Sequence, residues 1–212
     1  HNGVLFLDEL PEFKRNVLEV LRQPLEDGTV CITRAAGSLT YPANFILAAA
    51  MNPCPCGYKG ATKRQCTCNP MQIKKYVAKI SGPLMDRIDL HIEVPALEYK
   101  ELSADTIGET SVTIRQRVEK TRDIQLDRFK NTKTYFNAGM SAKQLKTHCK
   151  LDESSKQIIP LAMDKLGLSA RAHDRILKVS RTIADLAGEE NIQSEHIAEA
   201  IQYRSLDRQY FF

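Results

Sequence analysis

The chain has 212 residues, 42% of them hydrophobic and 26% charged, which is ordinary for a globular protein of one large or two small domains. No apolar run is long enough to span a membrane, so we expect no membrane partner, and no signal peptide is visible. The net charge of +4 permits contact with nucleic acid. Six cysteines are too few for a disulfide scaffold at this length, which favours reduced thiols in a cytoplasmic setting.

The first predicted element is a short buried strand that ends in two carboxylates. Val4 to Leu7 are apolar without interruption, and Asp8 and Glu9 follow directly. Such a run is typical of a strand buried on both faces of a parallel sheet, and open α/β sheets bind ligands at the carboxyl ends of their strands. One carboxylate can hold Mg²⁺ through water while the other polarises an attacking water. This is the Walker B pattern of P-loop ATPases, although many other buried strands also end in an acid.

The phosphate-binding loop that normally accompanies Walker B does not occur in this sequence. No G-x-x-x-x-G-K-[ST] motif is present in the 212 residues. We interpret the chain as a fragment of a larger ATPase that begins just before Walker B; the alternative is a complete enzyme without a P-loop. We therefore expect the chain alone to bind ATP very weakly and to hydrolyse none.

The elements that follow complete a predicted α/β region. A helix packed on the sheet is predicted over residues 10–22, with a turn at Glu26-Asp27-Gly28. Residues 29–41 alternate in the manner of a β-hairpin with its tip at 35–37. A second buried strand covers residues 45–51 and ends at Asn52-Pro53. Residues 88–94 alternate again and predict a further strand.

Everything beyond Pro95 is predicted to be helical. A long polar helix runs from Ser111 to about residue 130, and its charges of both signs indicate a solvated or bridging helix. Four more helices are predicted over residues 141–149, 152–166, 169–187 and 194–204. Their predicted N-caps are Ser141, Asp152, Ser169 and Ser194, and Gly188 is the predicted C-cap of the third.

Four cysteines lie close together in the loop after Asn52. Cys54, Cys56, Cys66 and Cys68 form two C-x-C pairs within fifteen residues. Paired cysteines in a reducing compartment favour a structural Zn²⁺ site, whereas the usual zinc spacing is C-x-x-C. Free or disulfide-linked thiols are therefore an equal alternative.

Three further features occur in the order expected of an AAA+ ATPase. Asn52 resembles sensor 1, which orients the attacking water, although an Asn before Pro53 also suits a simple turn. Arg87, in SGPLMDRIDL, resembles an arginine finger, although a surface pair with a neighbouring aspartate is the alternative. Arg171, in LSARAHDRIL, resembles sensor 2 in the first turn of a lid helix, and Arg175 lies one turn later on the same face.

Together these segments resemble the Mg-chelatase-like, competence-associated ATPases of the ComM and YifB family. The segments are HNGVLFLDELPEF, AAAMNPCPCGYKG, SGPLMDRIDLHIEVP and LSARAHDRILKVSRTIADLAG, and they extend over nearly the whole chain. The resemblance implies an AAA+ ATPase that assembles as a homo-oligomeric ring, a hexamer, and remodels branched DNA by helicase-type activity in recombination or natural transformation. A chelatase-type motor that acts on a protein partner in metal insertion is the alternative function.

The resemblance also implies a fold and roles for particular residues. Residues 1–97 are the C-terminal half of an α/β P-loop domain with a β-hairpin insertion, and residues 98–212 are an all-α lid domain. ATP and Mg²⁺ are the implied cofactors, with Zn²⁺ as a further candidate. Asp8 would hold Mg²⁺, Glu9 would act as the base, Asn52 would position the water, Arg87 would act in trans, and Arg171 would read the γ-phosphate in cis or in trans.

The hairpin at 29–41 resembles the pre-sensor 1 hairpin, which projects into the pore of ring helicases and touches DNA. Arg34, near its tip, is the candidate for a phosphate contact. A purely structural hairpin is the alternative, because the hairpin has one basic residue and no aromatic side chain at its tip.

Overall fold

A computed structural model of the chain describes residues 1–35, 37–61, 63–95 and 108–204. These residues form a mixed α/β protein with two compact units, one from His1 to Ile88 and one that begins at Asp89. The predicted boundary between residues 97 and 98 lies outside the described residues. None of the described helices combines the length and apolar character needed to cross a membrane.

The strands of the first unit form two separate pairs. The first pair is parallel and joins β1 (Gly3–Leu7) to β4 (Phe45–Ala49), with Leu5 opposite Leu47 and Leu7 opposite Ala49. The second pair is the predicted hairpin, in which β2 (Thr29–Arg34) runs antiparallel to β3 (Gly37–Pro42). Arg34 pairs with Gly37 at the end of this ladder.

Gly28 connects the preceding helix to the hairpin in a conformation that favours glycine. Its φ is 64°, and a Cβ at this position would approach the side-chain oxygen of Asn44 to 2.1 Å. Its carbonyl accepts a hydrogen bond from the Ala43 N–H at 2.7 Å, which closes the open end of the hairpin. Both the backbone angle and the close contact therefore select glycine here.

The predicted helix over residues 10–22 is divided in the structure. A 3₁₀ turn (Leu10–Glu12) is followed by α1 (Arg15–Val20) and α2 (Arg22–Asp27), and Gly28 caps α2. Lys14 is extended between the first two segments. Pro24 has no N–H to donate to the carbonyl of Val20, which explains why α1 ends there. Glu26 and Asp27 are consequently helical, and the turn is confined to Gly28.

The remaining helices of the first unit are short. They are α3 (Pro70–Val77), which begins with an Asn69–Gln72 capping box, and α4 (Gly82–Met85), which Ser81 caps. The core of this unit is a cluster of buried side chains from the segments around the sheet: Leu10, Leu18, Ile80, Leu84 and Met85.

Three predictions about strands in the first unit are wrong. The strands β1 and β4 are not buried on both faces, because Val4, Phe6 and Ile46 are 67%, 62% and 68% exposed while Leu5, Leu7 and Leu47 are half-buried. Residues 88–94 form no strand, since they join no ladder with the described strands and the His91 N–H donates instead to the Tyr203 carbonyl at 2.7 Å. Alternation alone cannot make a strand where backbone partners are lacking.

The second unit consists of helices packed around one core. The helices are α5 (Ser111–Arg128), α6 (Ala142–His148), α7 (Glu153–Leu166), α8 (Ala170–Ala187) and α9 (Ser194–Gln202). The core includes Phe129, Leu145, Ile159, Ile176 and Ile197. Helix α5 is largely exposed, as its charge pattern predicts.

The predicted caps of these helices are confirmed with one exception. Ser141, Asp152 and Ser169 each accept a backbone N–H from the third residue of the helix that follows, and Gly188 ends α8 with φ 78°. Ser194 is not the cap, because it is the first residue of α9 and Gln193 before it is the cap, whose N–H donates to the His196 Nδ1 at 3.0 Å.

A buried ion-pair network accompanies the core of the second unit. Asp185, whose side chain is fully buried, accepts two hydrogen bonds from Arg128 at 2.5 and 2.6 Å and one from the Arg181 Nε at 3.1 Å. Asn137 donates to the same carboxylate at 2.7 Å. Arg181 also donates to the carbonyls of Glu189 and Glu190, at 2.6 and 2.7 Å, and so ties the end of α8 to the next loop.

Candidate functional site

The ends of β1 and β4 bring the predicted acidic residues and Asn52 to one edge of the sheet. The two strands run parallel in register, and the Ala50 N–H donates to the Leu7 carbonyl at 2.9 Å just beyond the ladder. The Leu10 N–H in turn donates to the Ala50 carbonyl at 2.9 Å. Asp8 and Glu9 lie between these two bonds, and Asn52 follows two residues after Ala50. Asp8, Glu9 and Asn52 thus follow the carboxyl ends of two paired parallel strands.

Glu9 has a backbone conformation that is unusual for its residue type. Its φ of 51° and ψ of 47° are left-handed, and its N–H donates to the Asp8 Oδ1 at 2.8 Å. A left-handed residue other than glycine costs on the order of 1–3 kcal/mol and often marks a functional site. Both carboxylates are exposed at this bend, so they are open to a ligand from solvent.

The pKa of Tyr76 on α3 responds to several groups of the candidate site. Burial raises this pKa, and the charges of Glu12 and Glu9 raise it further, whereas the backbone of Asn52 lowers it. The Asn52 side chain is exposed.

Arg87 is buried and bonded within its own chain. Its guanidinium donates to the carboxylate of Glu26 and, at 2.7 Å, to the Pro83 carbonyl. Only 6% of the Arg87 side chain is exposed, whereas 43% of the Glu26 side chain is. An arginine that reaches into a neighbouring subunit would have to loosen its bond to Glu26.

Arg171 lies where the sequence predicts it, in the first turn of α8, and its side chain is exposed. Ser169 begins this helix by accepting the Ala172 N–H at 3.3 Å. Arg175, one turn later, is half-buried and forms an ion pair with Asp89. That pairing gives Arg175 a structural role within the second unit.

Arg34 is exposed at the end of β2, beside the hairpin turn. Every residue of β3 is exposed, and so are the last four residues of β2. Leu39 and Tyr41 are 62% and 47% exposed, so the hairpin presents apolar and aromatic surface as well as Arg34. The hairpin is therefore accessible along most of its length.

The four cysteines of the loop after Asn52 converge in space. The Sγ atoms of Cys54, Cys56, Cys66 and Cys68 all lie within 4.8 Å of one another, and each cysteine is a free thiol. Hydrogen bonds from the backbone of Tyr58 and then Thr67 lower the pKa of Cys56 to about 5, whereas burial raises the pKa of Cys68 to about 12. The other two cysteines are apart from this group, Cys31 on the hairpin and Cys149 in the helical core.

One residue that contacts a predicted site residue was not predicted from the sequence. Glu26 accepts a hydrogen bond from Arg87 across 61 positions of the chain. No local pattern marks this contact, because it depends on how distant segments pack.

Comparison with known proteins identifies the family. The profile described as "Magnesium chelatase, subunit ChlI" matches residues 1–102, and the profile of the ChlI C-terminal region matches residues 108–204. The chain is 49% identical over 208 residues to the competence protein ComM of Haemophilus influenzae and 42% identical over 209 residues to YifB of Escherichia coli. The chain belongs to the Mg-chelatase-like family of ComM and YifB.

The aligned relatives are much longer than this chain. The two alignments include 98% of this chain but only 40% of ComM and of YifB, so the chain spans less than half the length of these relatives. The chloroplastic magnesium-chelatase subunit ChlI of Glycine max is more distant, at 23% identity over 95% of this chain. Membership of this AAA+-like family is consistent with the use of ATP and Mg²⁺.

Proposed function

We propose that this chain is part of an AAA+ ATPase that hydrolyses ATP at the interfaces of a hexameric ring and uses the energy to remodel DNA. In this proposal the first unit is the C-terminal half of a P-loop domain and the second unit is its helical lid. The observation that carries the proposal is the meeting of Asp8, Glu9 and Asn52 at the carboxyl ends of two parallel strands.

The donor set at this edge fits Mg²⁺ and a nucleotide. Exposed carboxylates are ligands that Mg²⁺ prefers, and it is usually bound by one or two of them with water and substrate phosphates completing its shell. When bound, Mg²⁺ would neutralise charge on the phosphates. Asp8 would bind the ion through water, because its Oδ1 already accepts the Glu9 N–H.

The remaining residues of the site would act on the water and on the developing charge. Glu9 would accept a proton from the attacking water, and the Asn52 amide would orient that water. Arg87 would stabilise transition-state charge in a neighbouring subunit, which requires its guanidinium to exchange Glu26 for phosphate. Arg171 would contact the γ-phosphate from the lid, where its exposed side chain leaves it accessible.

The proposal that DNA is the substrate rests on the hairpin and on the relatives. The hairpin is exposed along both strands beyond its base and carries Arg34 at its end, where a phosphate contact is possible. The higher identity is to a competence protein, 49%, compared with 23% for the magnesium-chelatase subunit. The second candidate, a chelatase-type motor, is favoured by the family profiles and by that more distant relative.

The test is the ATPase rate of a full-length protein that contains this chain, measured with and without single-stranded and branched DNA. Stimulation by DNA is the expected result. An ATPase rate that DNA leaves unchanged but that a partner subunit and a porphyrin alter would favour the chelatase-type motor. ATP binding without turnover would contradict both candidates and leave ATP a role in assembly only.

A further inference from the structure

We propose that Cys54, Cys56, Cys66 and Cys68 bind one Zn²⁺ ion as a structural tetrathiolate centre. The proposal is independent of ATP hydrolysis and of DNA, because it rests on the geometry of the loop between β4 and α3. The bound ion would give the C-x-C pairs a structural role and would stabilise a loop that has no regular secondary structure.

The distances between the sulfur atoms match a single tetrahedral ion. A zinc–sulfur bond of about 2.3 Å places the sulfurs of a regular tetrahedron roughly 3.8 Å apart. The Cys54–Cys56, Cys56–Cys66 and Cys54–Cys66 Sγ atoms are 3.4, 3.6 and 3.7 Å apart, and Cys68 completes the group within 4.8 Å. Four sulfurs this close leave room for one ion between them, whereas an iron–sulfur cluster spreads its thiolates around a larger inorganic core.

Two disulfides explain this arrangement less well than one ion. A disulfide brings two sulfurs to about 2.05 Å and needs no third or fourth cysteine nearby. Here three sulfurs form a nearly equilateral triangle, so no pair is set apart from the others. Convergence of all four thiols is instead what a four-coordinate metal requires.

A tight backbone turn brings the first two cysteines of the loop together. In this turn the Gly57 N–H donates to the Cys54 carbonyl at 3.0 Å, and Gly57 has φ 81°. The Cys54 and Cys56 Sγ atoms lie 3.4 Å apart as a result.

Charge and burial are also suitable for a metal centre. Four thiolates and one Zn²⁺ carry a net charge of about −2, and the same loop contains Lys59, Lys63 and Arg64. Arg64 donates to the Tyr58 hydroxyl at 2.7 Å and its guanidinium carbon lies 4.2 Å from the centre of the Tyr58 ring, so this cation is held within the loop. Cys54 is fully buried while the other three are partly exposed, so an ion can enter from solvent.

The centre would hold the loop next to Asn52. Residues 52–69 form no helix or strand in their described part, so an ion that binds four of them supplies stability that this loop cannot gain from a core. Gly57 approaches the Asn52 side chain, since a Cβ at Gly57 would lie 3.9 Å from it. Loss of the ion should therefore loosen the loop first and leave the helical unit folded.

The experiment measures metal in the 212-residue chain, purified under reducing conditions after exposure to Zn²⁺. We expect one zinc per chain by elemental analysis. Exchange with Co²⁺ should give intense thiolate charge-transfer bands and the visible bands of tetrahedral Co²⁺. Cys56→Ser and Cys66→Ser should lower the zinc content severalfold, whereas the matched control Cys31→Ser should keep it at one.

Thiol reactivity of the unaltered chain gives a readout that does not depend on the folding of variants. With Zn²⁺ bound, alkylation should be slow at the four loop cysteines and fast at exposed Cys31. Removal of the metal should accelerate alkylation of the four loop cysteines only. The proposal is overturned if the reduced chain takes up no zinc, if it purifies with iron in this position, or if Cys56→Ser retains a full equivalent. Equal alkylation of the loop with and without Zn²⁺ would also overturn it.

Discussion

Helix α8 in the second unit is covered along its apolar face, whereas the parallel strands of the first unit leave a row of large apolar side chains exposed. Ile176 on α8 is 1% exposed, but Val4 and Ile46 on β1 and β4 are 67% and 68% exposed. The strands, GVLFL and FILAA, are more apolar in sequence than α8, which reads ARAHDRILKVSRTIADLA. An apolar run in the sequence therefore predicts a strand or helix, whereas the burial of that strand or helix depends on which segments pack against it.

The charged residues of the two units differ in the same way. In the second unit Asp185 is buried with two arginines and an asparagine around it, while in the first unit Asp8 and Glu9 are exposed at a bend. A satisfied buried network specifies a structure, whereas exposed acids next to a strained backbone are available to a ligand. The predictions below test this contrast.

The largest expected effect comes from Asp185→Ala. This change leaves the buried guanidinium of Arg181 and that of Arg128 without their carboxylate, which should reduce the free energy of unfolding by about 3–5 kcal/mol. Urea unfolding followed by the helical circular dichroism signal measures this loss. Asp174→Ala is the control, because Asp174 is exposed and should change stability by no more than about 0.5 kcal/mol. Equal unfolding midpoints for the two variants would contradict the account.

A smaller effect is expected from a matched pair of isoleucine truncations. Ile176→Ala creates a cavity in the helical core and should cost about 2–5 kcal/mol. Ile46→Ala removes the same atoms from an exposed strand position and should cost less than about 1 kcal/mol. The same unfolding experiment compares them. A large loss at Ile46 would break the comparison, because it would show that the exposed sheet face is covered in solution.

The smallest expected effect is a dependence of stability on pH through His148. Burial, followed by the charges of Arg128 and Arg181, lowers the pKa of His148 below its usual 6.5. The unfolded chain therefore binds this proton more readily, and stability should be full above pH 6.5 and fall as the pH drops through the lowered pKa. His148→Gln should flatten this part of the profile of unfolding midpoint against pH. An unchanged slope would assign the acid sensitivity to other groups.

Local signals account for most of what the sequence predicts correctly. The strands β1 and β4, the hairpin and the caps Ser141, Asp152 and Ser169 depend on residues within a few positions of one another, so spacing reveals them. The strand predicted at 88–94 failed because alternation does not show whether a partner strand exists. The bond from Arg87 to Glu26 was not predictable either, since it joins residues that only packing brings together.

The candidate site follows the same rule. Asp8, Glu9 and Asn52 could be placed together because parallel strands end at a common edge. The convergence of four cysteines was suggested by two C-x-C pairs, but the sulfur distances that favour one ion required the structure. The left-handed conformation of Glu9 had no signal in the sequence.

The most direct test of the central claim is ATP turnover by Glu9→Gln in a full-length protein that contains this chain. The account predicts that the variant binds ATP but hydrolyses it at least about 100-fold more slowly, because the base that activates water is lost. Glu12→Gln is the matched control, since Glu12 is exposed and pairs only weakly with Lys79 at 3.4 Å; it should retain near-normal turnover. Hydrolysis by Glu9→Gln at the wild-type rate would contradict the assignment of this sheet edge as the hydrolytic site.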